Sequence, residues 1–171
     1  KAGFQAKGLV EIDKHAAATV RENRPEWNVI EDDVVKVAEE GIRQYLHTEE
    51  ELDFVSGGYP CQAFSYAGKK MGLDDVRGTM FFYFAKIINE LQPKVFLAEN
   101  VRGLMTHDQG RTLQTMVEIY ENMGYHVEHH LVRAVDYGVA QKRERVIIVG
   151  IRNDFSVRYR LPKKYDRQMV L

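Results

Sequence analysis

The stretch TMFFYFAKIINELQPKVFLA, from Thr79 to Ala98, decides the fold. Its apolar residues recur at helical spacing as far as Leu91, which predicts an amphipathic helix over about 79–91 with one face in the core. Pro93 cannot continue that helix. The apolar run Val95 to Ala98 then follows without polar alternation, as in a strand buried on both faces. A helix leading directly into a buried strand is half of an alternating α/β unit.

The same alternation extends along the rest of the chain. Apolar runs predict strands, and segments with helical spacing predict helices, the first of them N-capped by Asp13 and the last ended by Gly124. The predicted strands are 5–12, 27–30, 52–56, 95–98, 125–135 and 145–151, and the predicted helices are 13–23, 34–46, 79–91 and one around 113–120. The sequence therefore predicts an α/β open sheet, in which ligands bind beyond the carboxyl ends of the strands.

Composition is that of one globular domain. The 19.8 kDa chain is 44% hydrophobic and 29% charged, and no apolar run approaches the roughly 20 residues that a membrane span needs. A single cysteine rules out a disulfide within these residues and favours a reducing compartment. Residues 131–171 carry ten Lys and Arg against four Asp and Glu, while residues 31–53 carry nine acids against two bases. The basic end suits a phosphate backbone, although such a cluster is also typical of a solvated surface.

That single cysteine, Cys61, is a candidate nucleophile. The pair Gly57-Gly58 precedes it where a strand should end, so the backbone can turn sharply, and Pro60 fixes the φ angle next to the thiol. A lone cysteine is also commonly a small, inert, buried residue. Two further polar segments adjoin apolar runs downstream, and they bear on which of these two interpretations of Cys61 holds. They are Glu99-Asn100-Val101 and Gln141-Lys142-Arg143-Glu144-Arg145-Val146.

These segments, in this order, resemble the motifs of the C5-cytosine DNA methyltransferase family. The matching segments are GGYPCQAFS at 57–65, ENV at 99–101 and QKRERV at 141–146, joined by Arg77-Gly78-Thr79 and by Asp136-Tyr137-Gly138-Val139. The resemblance runs from about Gly3 to Asn153. It implies an α/β, Rossmann-like open sheet of an S-adenosylmethionine-dependent methyltransferase, with residues 1–153 forming a partial catalytic domain.

The resemblance also implies catalytic roles. Cys61 would add to C6 of cytosine, and Glu99 would serve N3 as an acid or hydrogen-bond donor. Asn100 would brace the loop, and Val101 would pack. Arg145 would contact the cytosine O2, and Arg143 would position the thiol. Two plainer interpretations stay open: Glu99-Asn100 caps the helix that follows, or Arg143 and Arg145 form a solvated charge cluster at a sheet edge.

The methyl donor implied is S-adenosylmethionine. Glu11 would bind the ribose hydroxyls and Ile12 would pack on the adenine, while Asp33 would receive the adenine amino group and Val34 would cover the ring. Gly58 and Met80 would also lie at the cofactor. For Asp33, the N-cap of the following helix is an equally open reading. We predict no metal site.

The DNA would be double-stranded, with the target cytosine flipped out of the helix. Ser65 would bind a phosphate, Gln62 would also contact DNA, and Gln141 would organise its turn beside the DNA. The Gly-rich segment 64–79, with Lys69 and Lys70, would close over the DNA and fill or guard the gap that the flipped base leaves.

The most direct function is a DNA cytosine-5 methyltransferase of a restriction-modification system. The alternatives are an RNA methyltransferase of the same fold and a catalytically silent regulatory subunit. The family's first strand with its F-x-G-x-G turn would precede Lys1, and a target-recognition region would follow residues 154–171, so we expect a catalytic fragment or part of a longer chain. When complete, it would be a monomer in the bacterial cytoplasm, associated with the nucleoid, with a cognate restriction endonuclease as its genetic partner.

Overall fold

The computed structural model describes residues 3–60, 73–76 and 79–165, in which strands and helices alternate. Short 3₁₀ helices connect some of these elements, among them 42–45, 102–105, 107–110 and 134–137. The strands are β1 (Leu9–Val10), β2 (Val29–Ile30), β3 (Phe54–Gly58), β4 (Val95–Val101), β5 (Tyr125–Arg133) and β6 (Glu144–Arg152). The helices are α1 (Lys14–Asn23), α2 (Val34–Glu40), α3 (Met80–Leu91) and α4 (Arg111–Asn122).

Two groups of strands confirm the predicted α/β open sheet. β1 and β2 pair in parallel, and a four-stranded sheet has the order β3-β4-β6-β5. In that sheet β3 and β4 are parallel, whereas β6 runs antiparallel to both β4 and β5. The carboxyl ends of β3 and β4 therefore meet the amino end of β6 at one edge.

The predicted helix ends are confirmed at several places. The Asp13 carboxylate accepts hydrogen bonds from the amides of His15 at 2.8 Å and Ala16 at 2.9 Å, as an N-cap residue does. Thr79 caps α3 in the same way, with its hydroxyl accepting from the Phe82 amide at 3.2 Å. Gly124, with a φ of 91°, follows the end of α4 in a left-handed conformation that suits glycine.

Two predicted elements are wrong in length. The helix expected over 34–46 ends at Glu40, because Gly41 takes a φ of 95° and the chain continues as a 3₁₀ helix. The Glu90 carboxylate of α3 accepts from the amides of Ile42 and Arg43, both at 3.0 Å, and so replaces helical hydrogen bonds. The strand expected over 5–12 pairs only at Leu9–Val10, since β2 offers it just two partners.

The smaller of two buried clusters joins α2 to α3, and the larger one lies on one face of the four-stranded sheet. Phe96 and Ala98 of β4 are fully buried there against α3 and α4, and Asn100 on the same face is 2% exposed. Burying a side chain the size of phenylalanine stabilises a fold by about 1.5–3 kcal/mol. The prediction that β4 is buried on both faces is wrong, because its burial alternates and Leu97 and Glu99 are only partly buried. Glu99 therefore lies on the accessible face while its neighbour Asn100 points inward.

No helix in the described part of the chain combines the length and the apolar character needed to cross a membrane.

Candidate active site

A carboxylate held by two guanidinium groups lies where β4 and β6 meet. The Nε atom of Arg145 is 2.5 Å from Oε1 of Glu99, and Nη2 of Arg143 is 3.4 Å from the same oxygen. The Glu99 side chain is 35% exposed, so a ligand has access to it. Both predicted arginines thus contact the predicted acid, Arg145 more closely than the half-exposed Arg143.

A second ion pair fixes the start of β6. Arg102, directly after β4, lies 2.7 Å from the Glu144 carboxylate, and Nη1 of Arg145 donates to the Glu144 carbonyl at 2.8 Å. Sequence reasoning assigned no role to Arg102 or Glu144. For Glu144, the sequence signal that could have indicated a role is its position between the two arginines of the segment QKRERV.

Asn100 joins the ends of β3 and β4. Its Nδ2 donates to the Tyr59 carbonyl at 2.9 Å, and its Oδ1 accepts from the Val101 amide at 2.8 Å. Neither Glu99 nor Asn100 caps the 3₁₀ helix Arg102–Met105, whose start has no side-chain cap. The bracing role expected of Asn100 fits this geometry, because Tyr59 precedes Pro60 and Cys61 in the sequence.

Tyr59 is anchored in the core, a feature that sequence reasoning did not single out. Its hydroxyl lies 3.3 Å from the Tyr120 hydroxyl and 3.9 Å from the Met116 sulfur, and its ring packs on Phe81 and Phe84. Burial, followed by the proximity of Tyr59, raises the pKa of Tyr120 well above its ordinary value, so that hydroxyl stays neutral. The chain therefore leaves β3 from a fixed point.

Gly58 lies opposite Glu99 in the parallel ladder. A Cβ atom at Gly58 would come within 3.2 Å of Glu99 Oε2, which is closer than most such contacts. The glycine lets the carboxylate lie directly against β3. Gly58 was predicted to bind the cofactor; it lies beside the predicted acid and does not line the cleft described next.

A separate cleft of about 380 Å³ opens where β1 ends and α2 and α3 begin. The lining residues are Val10, Glu11, Ile12, Asp32, Asp33, Val34, Val35 and Met80. Every predicted cofactor residue except Gly58 is in this set. Sequence reasoning missed Val10, Asp32 and Val35, although each directly adjoins a predicted residue in the sequence.

The cleft combines carboxylates with apolar side chains. Glu11 Oε1 accepts from the Asp13 amide and Asp33 Oδ1 from the Val35 amide, both at 2.8 Å, and the second oxygen of each has no hydrogen-bond partner among the described residues. Asp33 thus caps α2 and also lines the cleft. Ile12 is 66% exposed at the rim. Free carboxylate oxygens beside apolar walls fit the hydroxyl and amino groups of an adenosine and its flat ring.

Asp32 lines this cleft as half of an ion pair with Lys36. Lys36 lies 2.5 Å from its carboxylate, and that hydrogen bond, followed by one from the Asp33 amide, lowers the pKa of Asp32. The carboxylate is therefore ionised at neutral pH, and Lys36 balances its charge.

The remaining predicted residues lie in neither the Glu99 cluster nor the cleft, or fall outside the described residues. Gln141 is exposed in the loop between β5 and β6, with its amide donating to the Val139 carbonyl at 2.7 Å. Val101 was expected to pack, and this is wrong: it is 45% exposed because it shares the accessible face of β4 with Glu99. Cys61, Gln62, Ser65 and most of the segment 64–79 lie outside the described residues.

The sequence of this chain is similar to those of known proteins. Residues 1–169 match the family model described as C-5 cytosine-specific DNA methylase. The chain is 48% identical, over 99% of its length, to the type II methyltransferase M.Sau96I of Staphylococcus aureus. It is 51% identical, over 100% of its length, to the type II methyltransferase M.Eco47II of Escherichia coli. It spans 39% and 40% of the length of these two relatives.

The fold of this chain is also similar to those of solved methyltransferase structures. A protein described as a DNA modification methyltransferase encoded within an E. coli prophage has a TM-score of 0.76 and 27% identity, over 99% of this chain and 47% of that one. DNMT2 of Spodoptera frugiperda has a TM-score of 0.66 and 21% identity, over 96% of this chain and 49% of that one, which concerns the fold alone. With the family match over nearly its whole length, this chain belongs to the C-5 cytosine-specific DNA methylase family.

Proposed function

We propose that this chain carries the catalytic part of an enzyme that methylates C5 of cytosine in double-stranded DNA, with Cys61 as the nucleophile. One observation carries the proposal: Asn100 ties the Tyr59 carbonyl to the end of the strand that also carries Glu99. The segment that leads to Cys61 therefore starts beside a carboxylate paired with Arg145.

This set of groups suits the chemistry of cytosine. C5 is a weak nucleophile until a thiolate adds to C6, which pushes electrons toward N3 and O2. Glu99 in its protonated form donates at N3, and Arg145 donates at O2. N3 is a ring nitrogen and O2 is the carbonyl oxygen on the adjacent C2, so the two acceptors lie side by side, and an acid next to a guanidinium matches them. After methyl transfer, a solvent base takes the C5 proton, the Cys61 sulfur leaves as thiolate, and the N3 proton returns to Glu99, which restores the aromatic ring.

The proposed methyl donor is S-adenosylmethionine, whose sulfonium methyl group supplies the electrophile. The lining of the 380 Å³ cleft supports this assignment. Glu11 binds the ribose hydroxyls, Asp33 receives the adenine amino group, and Ile12 and Val34 pack on the ring. Met80 lies at the same cleft. Gly58 belongs to the catalytic side instead, because it lies against Glu99.

The proposed substrate is a cytosine flipped out of duplex DNA, since C6 is otherwise hidden in the base stack. Gln62, Ser65 and Gln141 contact the DNA, and Arg143 positions the thiol. The two relatives named above are type II methyltransferases. We therefore infer a restriction-modification role, with a cognate endonuclease as genetic partner and a monomeric enzyme acting on the bacterial nucleoid in the cytoplasm.

Covalent trapping tests this proposal. The full-length protein, with S-adenosylmethionine, is incubated with mixed-sequence duplex DNA in which 5-fluorocytosine replaces cytosine. Fluorine at C5 cannot leave as the proton does, so the protein should remain attached to DNA, and peptide mapping should place the bond at Cys61. Cys61→Ser should abolish the adduct and retain DNA binding.

The other outcomes each contradict a part of the proposal. An adduct in the serine variant, or at another residue, removes Cys61 as the nucleophile. An adduct formed with matched RNA but not with DNA makes the protein an RNA methyltransferase. Failure to trap or methylate either nucleic acid would favour a silent regulatory subunit.

A further inference from the structure

Asp136 is a buried carboxylate that the proposed chemistry does not use. It lies in the loop between β5 and β6 and is 3% exposed. Arg133 holds it through two hydrogen bonds, from Nε to Oδ2 at 3.1 Å and from Nη2 to Oδ1 at 2.9 Å. Lys164 lies far along the chain, after β6, yet its Nζ is 3.0 Å from Asp136 Oδ2. The carboxylate thus joins two separate parts of the chain.

Backbone and packing contacts reinforce this junction. The Asp136 carbonyl accepts a hydrogen bond from the Tyr165 amide at 2.9 Å. The Tyr165 ring lies over Gly138, where a Cβ atom would come within 3.1 Å of it. The end of the segment 153–165 is therefore held to the loop: Lys164 contacts the Asp136 carboxylate, and Tyr165 contacts the Asp136 carbonyl and Gly138.

The same loop leads directly to the candidate active site. The Ala134 amide donates to the Arg143 carbonyl at 2.9 Å, which closes the loop at its base. The Val139 amide donates to the Ala134 carbonyl at 3.2 Å. Arg143 in turn contacts Glu99 at 3.4 Å. A continuous series of contacts connects Lys164, through Asp136 and the loop, to the predicted acid.

The charge of Asp136 makes loss of its contact with Lys164 unfavourable. The hydrogen bonds from Lys164 and then Arg133 lower the pKa of Asp136, so it is ionised at neutral pH. A buried charge that loses a partner is strongly disfavoured. Lys164 itself is 58% exposed, and an ordinary surface pair at such a position would contribute little. Here the pair contributes more, because its partner Asp136 is buried.

We propose that Asp136 is a positioning residue, through which the segment 153–165 sets the loop 134–143 and hence the place where Arg143 meets Glu99. This inference rests on the proposed function, since its effect is on formation of the Cys61 adduct. It gives the chain that follows β6 a direct influence on the active site, separate from any contact that it makes with DNA.

Lys164→Met in the full-length protein tests this inference, with Lys163→Met as the matched control. Both variants remove one exposed positive charge, but only Lys164 contacts Asp136. In the 5-fluorocytosine reaction at saturating DNA and cofactor, the rate constant for adduct formation should fall about 10-fold in Lys164→Met, as for a modest misplacement of a catalytic group. It should stay within 2-fold of wild type in Lys163→Met, and Lys164→Arg should restore most of it, both on the order of normal surface effects.

Rate and amplitude separate positioning from stability. A merely structural role for Asp136 would lower the amplitude of the adduct, because fewer molecules are folded, and leave the rate constant of the folded ones unchanged. That result would overturn the inference. Cofactor affinity should be equal in all variants, since the cleft lies elsewhere in the fold.

Hydrogen exchange gives a readout that does not depend on activity. The amides of Ala134 and Val139 should exchange faster in Lys164→Met than in Lys163→Met, because the loop loses its tie to the following segment. Equal exchange in the two variants would overturn the inference even if the enzyme methylates cytosine. If wild type forms no adduct, the proposed function fails, while the exchange comparison still decides the role of Asp136 in holding the loop.

Discussion

Arg145 Nε lies 2.5 Å from Glu99 Oε1, although Arg145 stands opposite Val101 in the antiparallel ladder. The pair is therefore diagonal across β4 and β6, and it joins side chains on the accessible face of the sheet. Long side chains reach across this diagonal distance in antiparallel sheets. The relationship assembles an acid and a cation at one point, beside the strand end that leads to Cys61.

Glu99→Gln should slow methyl transfer by about 10²-fold or more, the usual scale of acid-base assistance, because an amide cannot give up a proton at N3. The similar shape should preserve the fold. Single-turnover methylation with saturating DNA and cofactor measures the chemical step, and Glu121→Gln on the exposed end of α4 is the control. A loss of cofactor affinity with an unchanged chemical step would place Glu99 in the donor site instead.

Asn100→Ala should both destabilise the fold and slow adduct formation. It leaves the Tyr59 carbonyl and the Val101 amide without their side-chain partner at a buried position, at a cost of about 1–3 kcal/mol. Urea unfolding measures the stability, and trapping with 5-fluorocytosine measures the rate. Asn122→Ala, at the exposed end of α4, should change stability by less than about 0.5 kcal/mol. Equal effects of the two changes would argue against the bracing role.

Glu11→Gln should weaken binding of S-adenosylhomocysteine by roughly 10- to 100-fold, the equivalent of about 1.5–3 kcal/mol for a hydrogen bond to a charged group. Titration calorimetry measures the affinity directly, without any need for DNA. The control is Glu22→Gln on the exposed side of α1. If Glu11→Gln binds the ligand as wild type does, the cleft beside β1 is not the site of the ribose.

Stability should fall at acid pH through Asp136. Lys164 and Arg133 lower the pKa of this aspartate below its ordinary value of 3.8, so the folded state resists its protonation. The resulting stabilisation is fully present above pH 3.8 and is lost as the pH falls from there through the lower pKa of the folded state.

Asp136→Asn should therefore be less stable than wild type at pH 7, and the difference should shrink at acid pH. Urea unfolding curves at pH 7, 5 and 3 give this comparison. A difference that is as large at the lowest pH as at neutral pH would mean that packing, and not charge, gives Asp136 its effect.

Helical periodicity and apolar runs predict the elements correctly wherever local preferences decide. The Asp13 cap, the end of α3 before Pro93 and the end of α4 before Gly124 depend on residues a few positions apart. The extent of α2 was not predictable in this way, because Glu90, from another helix, supplies the hydrogen bonds after Gly41. Likewise, β1 is short because its length depends on the partner strand.

The candidate site likewise combines features that the local sequence determines with features that depend on tertiary contacts. The motifs around Cys61, Glu99 and Arg145 determined the family from the sequence alone, because each is a contiguous set of residue types. Only the tertiary structure decided that Glu99 faces outward and Asn100 inward, that Gly58 serves the carboxylate, and that Lys164 reaches Asp136. These relationships depend on strand register and on contacts between distant parts of the chain, and a shift of register by one residue would turn each side chain to the opposite face of the sheet.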